Sequence, residues 1–206
     1  MRIALSKGYL LKPALELFRQ IGIDIDEAEV NSRKMTFTDK SGAYEFVVIR
    51  PADVPVYVEH GAVDLGIAGK DVMVESACGL AELVDLKFGY CKLVIAALKE
   101  DNIKECKSNM RVATKFVNAT AAHFKKLDLN VEIIKLYGSV ELAPIAGLSD
   151  VIVDLTATGK SLDENNLEIV DTIMEATARL VANKVKLKTR YNEIIDLAGK
   201  LQGVVK

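Results

Sequence analysis

Short apolar runs alternate with segments of helical periodicity along most of the chain. The runs are rich in β-branched residues, which is typical of strands, and the segments between them repeat apolar residues every three or four positions. The first series predicts strands at residues 2–6, 34–38, 44–49 and 63–69 and helices at residues 12–22 and 52–61. The second series predicts strands at residues 91–98, 111–114, 131–136 and 150–155 and helices at residues 118–128 and 140–147.

Two segments complete the pattern. Residues 168–184 have β-branched runs at both ends and are interpreted as a strand that crosses back between two lobes, and residues 188–204 have helical spacing. Strands that alternate with helices favour an α/β fold with largely parallel sheets. We therefore predict a lobe I of residues 1–90 plus 177–206 and a lobe II of residues 91–176.

Composition limits the classes of ligand. Half of the 206 residues are hydrophobic, and 27 basic against 29 acidic residues leave a net charge of −2, so no global field attracts nucleic acid or a membrane. Cys78, Cys91 and Cys106 have no CxxC spacing, which favours reduced thiols over disulfides or structural zinc. Because no apolar run approaches the ~20 residues of a membrane span, we expect a cytoplasmic protein.

The stretch "DVIVDLTATGKSL", residues 150–162, is the strongest candidate for a binding site. A strand followed by small residues, threonines and a glycine directs backbone N–H groups at an anion such as phosphate. Its end, Gly159-Lys160-Ser161, matches a P-loop, but the first glycine of that motif should then be residue 154, which is an aspartate. A carboxylate there would repel phosphates, so we reject the P-loop.

The same stretch is similar to the phosphoribosyl-diphosphate loop of phosphoribosyltransferases, in which a loop wraps the 5′-phosphate and acids before it hold the ribose hydroxyls. Asp154 stands in the position of such an acid. A plainer interpretation remains open, in which Thr158 or Ser161 is only the N-cap of the next helix.

Three blocks in order make the resemblance more specific. They are "ALSKGYL", "RPADVPVYVEHGAVDLGIAGKDV" and "KLYGSVELAPIAGLSDVIVDLTATGKSL". Together they closely resemble the ATP phosphoribosyltransferase family, over almost the whole chain. The resemblance implies a two-lobed α/β fold like a type II periplasmic binding protein, with the active site in the cleft between the lobes.

The resemblance also implies an activity and partners. Enzymes of this family join N1 of ATP to the anomeric carbon of phosphoribosyl diphosphate, with inversion and release of pyrophosphate, in the first step of histidine biosynthesis. Mg²⁺ is expected on the diphosphate, without protein side chains as metal ligands. The end of the chain soon after "LAGKLQGV" is similar to the short form, which lacks a C-terminal regulatory domain. Short forms work with a regulatory subunit resembling histidyl-tRNA synthetase as a hetero-octamer, so we expect a homodimer alone.

Site residues follow from matching the motifs. Those expected to bind phosphoribosyl diphosphate are Glu141, Asp154, Thr156, Ala157, Thr158, Gly159, Lys160 and Ser161. Cations for the leaving pyrophosphate, named as catalytic, are Arg33, Lys7 and Arg50. Alternatives stay open for two of these residues: Glu141 as an acid in the first turn of a helix, and Arg50 in an ion pair with Asp53 that fixes a turn.

The expected contacts with ATP are Gly8, Tyr9 and Asp71, although Asp71 is equally a candidate helix N-cap. His60 and His123 are interpreted as surface or cap residues. The family usually has K-G-R where this chain has Lys7-Gly8-Tyr9, so a cation is missing, while tyrosine can still stack on adenine. The usual K-Y-P is residues 115–117, "KFV", which puts the ligand contacts of that loop in doubt.

A rival hypothesis belongs to another class of protein. The two-lobed fold together with the missing arginine at position 9 also suits a non-catalytic intracellular ligand-binding or sensor module.

Overall fold

The chain folds into two compact units. The structure, a computed structural model, describes residues 1–30 and 34–205. Unit 1 comprises Met1–Gly89 and Thr177–Lys206, and unit 2 comprises Tyr90–Ala176. The sequence placed the first boundary after residue 90, one residue later than the structure, and the second after residue 176.

Unit 1 is a six-stranded sheet with helices. Its strands are β1 (Arg2–Ser6), β2 (Thr36–Thr38), β3 (Glu45–Ile49), β4 (Leu65–Gly69), β5 (Ala81–Asp85) and β11 (Ala178–Ala182). Its helices are α1 (Leu11–Gln20), α2 (Glu27–Val30), α3 (Val54–Glu59), α4 (Lys70–Ser76), α8 (Lys184–Thr189) and α9 (Tyr191–Val204). The strand order is β2-β3-β1-β4-β11-β5, with β3, β1 and β4 parallel and the other pairings antiparallel.

Unit 2 has a similar plan with five strands. Its strands are β6 (Cys91–Leu98), β7 (Arg111–Thr114), β8 (Glu132–Lys135), β9 (Val151–Thr156) and β10 (Leu167–Ala176). Its helices are α5 (Val117–Lys126), α6 (Leu142–Ile145) and α7 (Lys160–Glu164). In the order β10-β6-β9-β7-β8, the strands β9, β7 and β8 are parallel, whereas β6 and β10 pair antiparallel.

Alternation along the strands covers both faces of each sheet. In unit 1, Ile3 and Leu5 of β1 pack with α1 and α9, whereas Ala4 between them packs with α3. In unit 2, one face packs against Phe124 of α5. The other face packs against α6 and α7, where Leu162 is 4 % exposed. The central strands are therefore buried on both sides, and their ends carry the exposed polar residues.

A charged network joins β5 and β11 in unit 1. Arg179 of β11 lies 2.6 Å from Asp85 and 3.4 Å from Glu82. Asp85 also accepts hydrogen bonds from Thr177 Oγ1 (2.7 Å) and Lys87 Nζ (2.8 Å). Burial opposes ionisation of Asp85, but these hydrogen bonds and the charge of Arg179 outweigh it and hold the pKa of Asp85 well below its ordinary value.

The strands and longer helices predicted from periodicity are present, with ends shifted by up to three residues. Residues 168–184 do cross between the units, but as two strands, β10 and β11, which meet at Thr177. The prediction of largely parallel sheets is wrong. A strand that returns from the other unit enters each sheet antiparallel, and the hairpin β2–β3 adds a further antiparallel pair.

Four short elements escaped prediction: α2, α4, α8 and β5. Helix α4 follows Gly69 without a connecting loop, and β5, with the sequence AELVD, is only five residues long and shows no regular alternation. Within the described residues, no helix is both long enough and apolar enough to cross a membrane. Cys78, Cys91 and Cys106 form no disulfide bond.

Candidate active site

The carboxyl ends of β8, β7 and β9 form one edge of the unit 2 sheet, because these strands are parallel neighbours. In α/β sheets, ligands bind at such edges. The residues expected to hold phosphoribosyl diphosphate all follow or end these strands: Glu141 comes after β8, Asp154 lies near the end of β9, and residues 156–161 lead from β9 into α7. The edge thus gathers residues that are separate in sequence.

The connection from β9 to α7 is a tight turn around Gly159. Gly159 has φ +79° and is the N-cap of α7, a backbone conformation that favours glycine. Its amide donates to Thr156 Oγ1 at 2.8 Å, which closes the turn. Ala157 and Thr158 are exposed at its tip, and the space where a Cβ of Gly159 would lie is open. The turn is therefore accessible to a ligand at close range.

Side-chain contacts fix this turn to the rest of unit 2. Ser161 Oγ donates to Glu141 Oε1 at 3.0 Å, which links the α7 end of the turn to the segment after β8. Lys99 Nζ donates to Asp163 Oδ1 at 2.6 Å, and this hydrogen bond lowers the pKa of Asp163. Helix α7 is therefore fixed at three consecutive residues: Ser161 and Asp163 through their side-chain hydrogen bonds, and Leu162 between them through its burial.

Asp154 is a buried carboxylate, with a side chain that is 12 % exposed. Its Oδ1 lies 3.0 Å from Lys115 Nζ and accepts a hydrogen bond from the amide of Leu155 at 2.8 Å. A buried carboxylate requires such partners, since desolvation disfavours the charged form. Lys115 was not among the predicted site residues. The signal that could have found it is its position directly after the buried strand β7.

The plainer interpretations of this edge can now be assessed. Gly159, and neither Thr158 nor Ser161, is the N-cap of α7, although Thr158 Oγ1 accepts a hydrogen bond from the amide of Lys160, the first residue of α7, at 3.4 Å. Glu141 occupies the N-cap position of α6, but its side chain makes no hydrogen bond to that helix. Its carboxylate accepts a hydrogen bond from Ser161 instead. The N-cap hypothesis for Thr158 and Ser161 is therefore wrong, whereas Glu141 does lie at the N-terminal end of α6, one position before its first turn.

A second edge is formed in unit 1 by the carboxyl ends of β3, β1 and β4. Lys7 follows β1 and Arg50 follows β3, and the amide of Lys7 donates to Ile49 O at 2.7 Å. Both side chains are exposed. Among the residues that the structure describes, neither Lys7 nor Arg50 has an ion-pair partner, so the alternative pair between Arg50 and Asp53 is absent. The turn there is closed by the backbone, with the amide of Asp53 donating to Arg50 O at 3.0 Å.

Asp71 lies at the same edge, after β4. It is the second residue of α4 and is 4 % exposed, whereas Gly69 is the N-cap, so the N-cap hypothesis for Asp71 is wrong. A Cβ at Gly69 would lie 2.1 Å from Asp71 Oδ1, which shows that the carboxylate is folded closely over this glycine. Any larger residue at position 69 would displace it.

The remaining expected residues are placed less tightly. Gly8, with φ +104°, and the exposed Tyr9 connect β1 to α1 at the unit 1 edge. Arg33 lies outside the described residues. His60 is the exposed C-cap of α3, as expected for a cap residue, and His123 is half-buried on α5. The predicted position of the active site between the lobes stays a prediction.

Comparison with known proteins decides the family. The family model described as "HisG: ATP phosphoribosyltransferase" matches residues 50–203. An ATP phosphoribosyltransferase of Caldanaerobacter subterraneus subsp. tengcongensis is 48 % identical over 204 residues, which cover 98 % of this chain and 96 % of that protein. The chain belongs to the ATP phosphoribosyltransferase family.

Solved structures agree with this assignment. The complex described as ATP phosphoribosyl transferase (HisG:HisZ) from Thermotoga maritima contains a chain with a TM-score of 0.85 and 34 % identity, covering 100 % of this chain and 98 % of that one. The periplasmic aliphatic sulphonate binding protein SsuA from Escherichia coli has a TM-score of 0.62 at 13 % identity, covering 98 % and 70 %. The latter shows the fold alone and confirms the predicted resemblance to type II periplasmic binding proteins.

Within the ATP phosphoribosyltransferase family, the two expected departures have a structural setting. Tyr9 is 63 % exposed at the unit 1 edge, where the family usually has a cation. The segment "KFV" begins with Lys115, which contacts Asp154, so the lysine of this segment is directed at the candidate donor site. Among the described residues, no group of three or more histidine, cysteine or acidic side chains could hold a metal ion.

Proposed function

We propose that this chain transfers the phosphoribosyl group of phosphoribosyl diphosphate to N1 of ATP and releases pyrophosphate, the first step of histidine biosynthesis. The observation that carries the proposal is the gathering of Glu141, Asp154 and residues 156–161 at one sheet edge, in a chain that belongs to the ATP phosphoribosyltransferase family.

The turn after β9 holds the 5′-phosphate of the donor. Its backbone is accessible, because no atom occupies the space next to the Cα of Gly159, so amide groups can approach an anion closely. Thr156 and Thr158 add hydroxyl groups. Asp154 and Glu141 are acceptors, which suits ribose hydroxyls rather than phosphate. One edge therefore offers donors to the phosphate and acceptors to the sugar.

The reaction requires positive charge at the leaving group. The N1 lone pair of ATP forms the new bond to the anomeric carbon while the bond from that carbon to the diphosphate oxygen breaks, and its electron pair leaves with pyrophosphate. N1 needs no strong general base. Lys7, Arg33 and Arg50 stabilise the departing anion, and the exposure of Lys7 and Arg50 without an ion pair among the described residues supports this role.

Mg²⁺ fits this chemistry as a companion of the donor. Glu141 and Asp154 supply oxygen atoms, which Mg²⁺ prefers, but each already has a protein partner. The diphosphate is therefore the main ligand that we expect for Mg²⁺, and the metal would supply further neutralisation of the leaving group.

ATP is bound at the unit 1 edge by Gly8, Tyr9 and Asp71. The exposed ring of Tyr9 can stack on adenine in place of the charge contact that an arginine would make. We further propose that the chain works in the cytoplasm with a regulatory subunit that resembles histidyl-tRNA synthetase, as a hetero-octamer, and forms a homodimer alone. The HisG:HisZ complex named for the Thermotoga maritima relative supports such a partner.

The solute-binding hypothesis is not favoured. Its support is reduced to the fold, since the likeness to a solute-binding protein such as SsuA is at 13 % identity, whereas a relative at 48 % identity is named an ATP phosphoribosyltransferase.

The test is a reconstituted reaction. The protein, an active regulatory subunit, ATP, phosphoribosyl diphosphate and Mg²⁺ should yield phosphoribosyl-ATP and pyrophosphate in equal amounts. Ribose 5-phosphate, which lacks the leaving group, is the matched control and should yield neither. Absence of both products with an active partner would overturn the proposal, and calorimetric binding of phosphoribosyl diphosphate would independently separate the enzyme from a solute-binding module.

A further inference from the structure

Lys115 lies between two residues, Thr114 and Phe116, that hydrogen bonds fix in place. Thr114, the last residue of β7, is fully buried, and its Oγ1 donates to Val153 O at 2.7 Å. The same hydroxyl accepts from the amide of Phe116 at 2.9 Å. One side chain therefore ties the turn that carries Lys115 to β9, one residue before Asp154.

The side chain of Lys115 is also held in place, by two contacts of its ammonium group. Its Nζ lies 3.0 Å from Asp154 Oδ1 and 5.2 Å from the centre of the Phe116 ring. Phe116 is 5 % exposed and thus a rigid platform, and an ammonium group over an aromatic face is attracted to it. Although Lys115 is 43 % exposed, its charged end is held between two fixed partners.

The contacts on Asp154 are asymmetric. Lys115 Nζ lies 3.0 Å from Oδ1, which also accepts from the amide of Leu155, and among the described residues no hydrogen bond is made to Oδ2. A carboxylate held through one oxygen keeps a fixed plane and leaves the other oxygen to accept from a ligand. Orientation of this kind raises affinity because less freedom is lost when the ligand binds.

We propose that Lys115 is a positioning residue for the phosphoribosyl donor: it holds Asp154 through Oδ1 so that Oδ2 accepts from a ribose hydroxyl. The inference rests on the proposed function. Lys115 acts through Asp154 and need not touch the donor itself, which distinguishes it from a cation that merely attracts a polyanion.

The experiment is a double-mutant cycle on donor affinity, measured by calorimetry with phosphoribosyl diphosphate and Mg²⁺. Lys115→Met keeps the alkyl stem and removes the charge, and we expect it to weaken donor binding about tenfold, as for loss of a partly buried ion pair. Lys115→Arg should restore most of the affinity. Lys126→Met, on the exposed face of α5, is the control and should bind as the wild type does.

The decisive arm is Asp154→Asn. If Lys115 acts through Asp154, adding Lys115→Met to Asp154→Asn should change affinity by less than about twofold. Additive effects would overturn the inference, since they would show a direct attraction between Lys115 and the donor. An unchanged affinity of Lys115→Met, or a loss that only follows a fall in its melting temperature without rescue by arginine, would overturn it too.

The two proposals fail differently. A wild-type protein that neither binds the donor nor forms product overturns the proposed function, and this inference with it. A wild-type protein that does both, with affinity indifferent to position 115, overturns only the role of Lys115.

Discussion

The two units present corresponding edges that differ in how their charges are used. Each has three parallel strands, with β1 central in unit 1 and β7 central in unit 2. A lysine follows each central strand: Lys7 in one and Lys115 in the other. Lys115 is paired with Asp154, whereas Lys7 has no ion pair among the described residues. Unit 2 thus has an organised carboxylate site, and unit 1 has cations that remain available to an anion.

The connection from strand to helix also differs between the two edges, after β4 in unit 1 and after β9 in unit 2. In unit 1, β4 runs directly into α4 through Gly69, with Asp71 folded over the glycine. In unit 2, residues 157–159 separate β9 from α7, and the space above Gly159 is open. Three additional residues convert a closed strand–helix junction into an accessible turn, which is why phosphate binding is proposed for unit 2.

The largest effect should come from closing that turn. Thr158→Ala combined with Gly159→Val should weaken binding of phosphoribosyl diphosphate by more than the ~1–3 kcal/mol of one buried hydrogen bond, because valine disfavours positive φ and a hydroxyl is lost. Calorimetry would measure it. Gly147→Val is the matched control, since Gly147 has φ +69° and equally open space in the same unit. Donor affinity that survives the double substitution would place the phosphate elsewhere.

A smaller effect should follow from removing cations that are expected at the leaving group. Arg50→Ala and Arg33→Ala should each lower kcat by about ten- to a hundredfold and raise the KM values less, because these groups are proposed to act on the departing pyrophosphate. Steady-state kinetics in both substrates would measure the split. Lys12→Ala, an exposed cation on α1, should be neutral. A change confined to KM would indicate simple anchoring of substrate.

The smallest effect concerns stability, in unit 1. Because the folded pKa of Asp85 is depressed, its stabilisation is complete above the ordinary value of 3.8 and is lost as pH falls through the folded pKa. Asp85→Asn should lower the free energy of unfolding by about 1 kcal/mol at pH 7, and the difference from wild type should shrink in strong acid. Denaturant unfolding at several pH values would test this.

The control for that measurement is Asp196→Asn, whose partner Lys200 lies 2.8 Å away on the exposed face of α9. An exposed pair of this kind contributes little, so its removal should leave stability unchanged. A pH-independent loss in Asp85→Asn would mean that packing, and not the charge of Asp85, stabilises the junction of β5 and β11.

Local patterns were sufficient to predict the main elements and the turn at residues 156–161, because the spacing of apolar residues in the sequence indicates which residues of a strand or helix are buried. Strand direction was not predictable in this way, since it depends on where β6 and β11 enter their sheets. The pair between Lys115 and Asp154 was also not predicted, because it joins the residue after β7 to a residue of β9 and depends on the register of these two strands. The family resemblance supplied Glu141, whose bond to Ser161 no spacing rule would give.

The turn at residues 156–161 depends on the interior of unit 2 through Leu162. It follows Ser161 directly and packs with Ala143 and Ile152. A helix of five residues such as α7 does not persist without such support. Under the proposed function, selection for substrate binding extends to residues that never contact a substrate, and substitutions in this part of the interior should change the affinity for the donor.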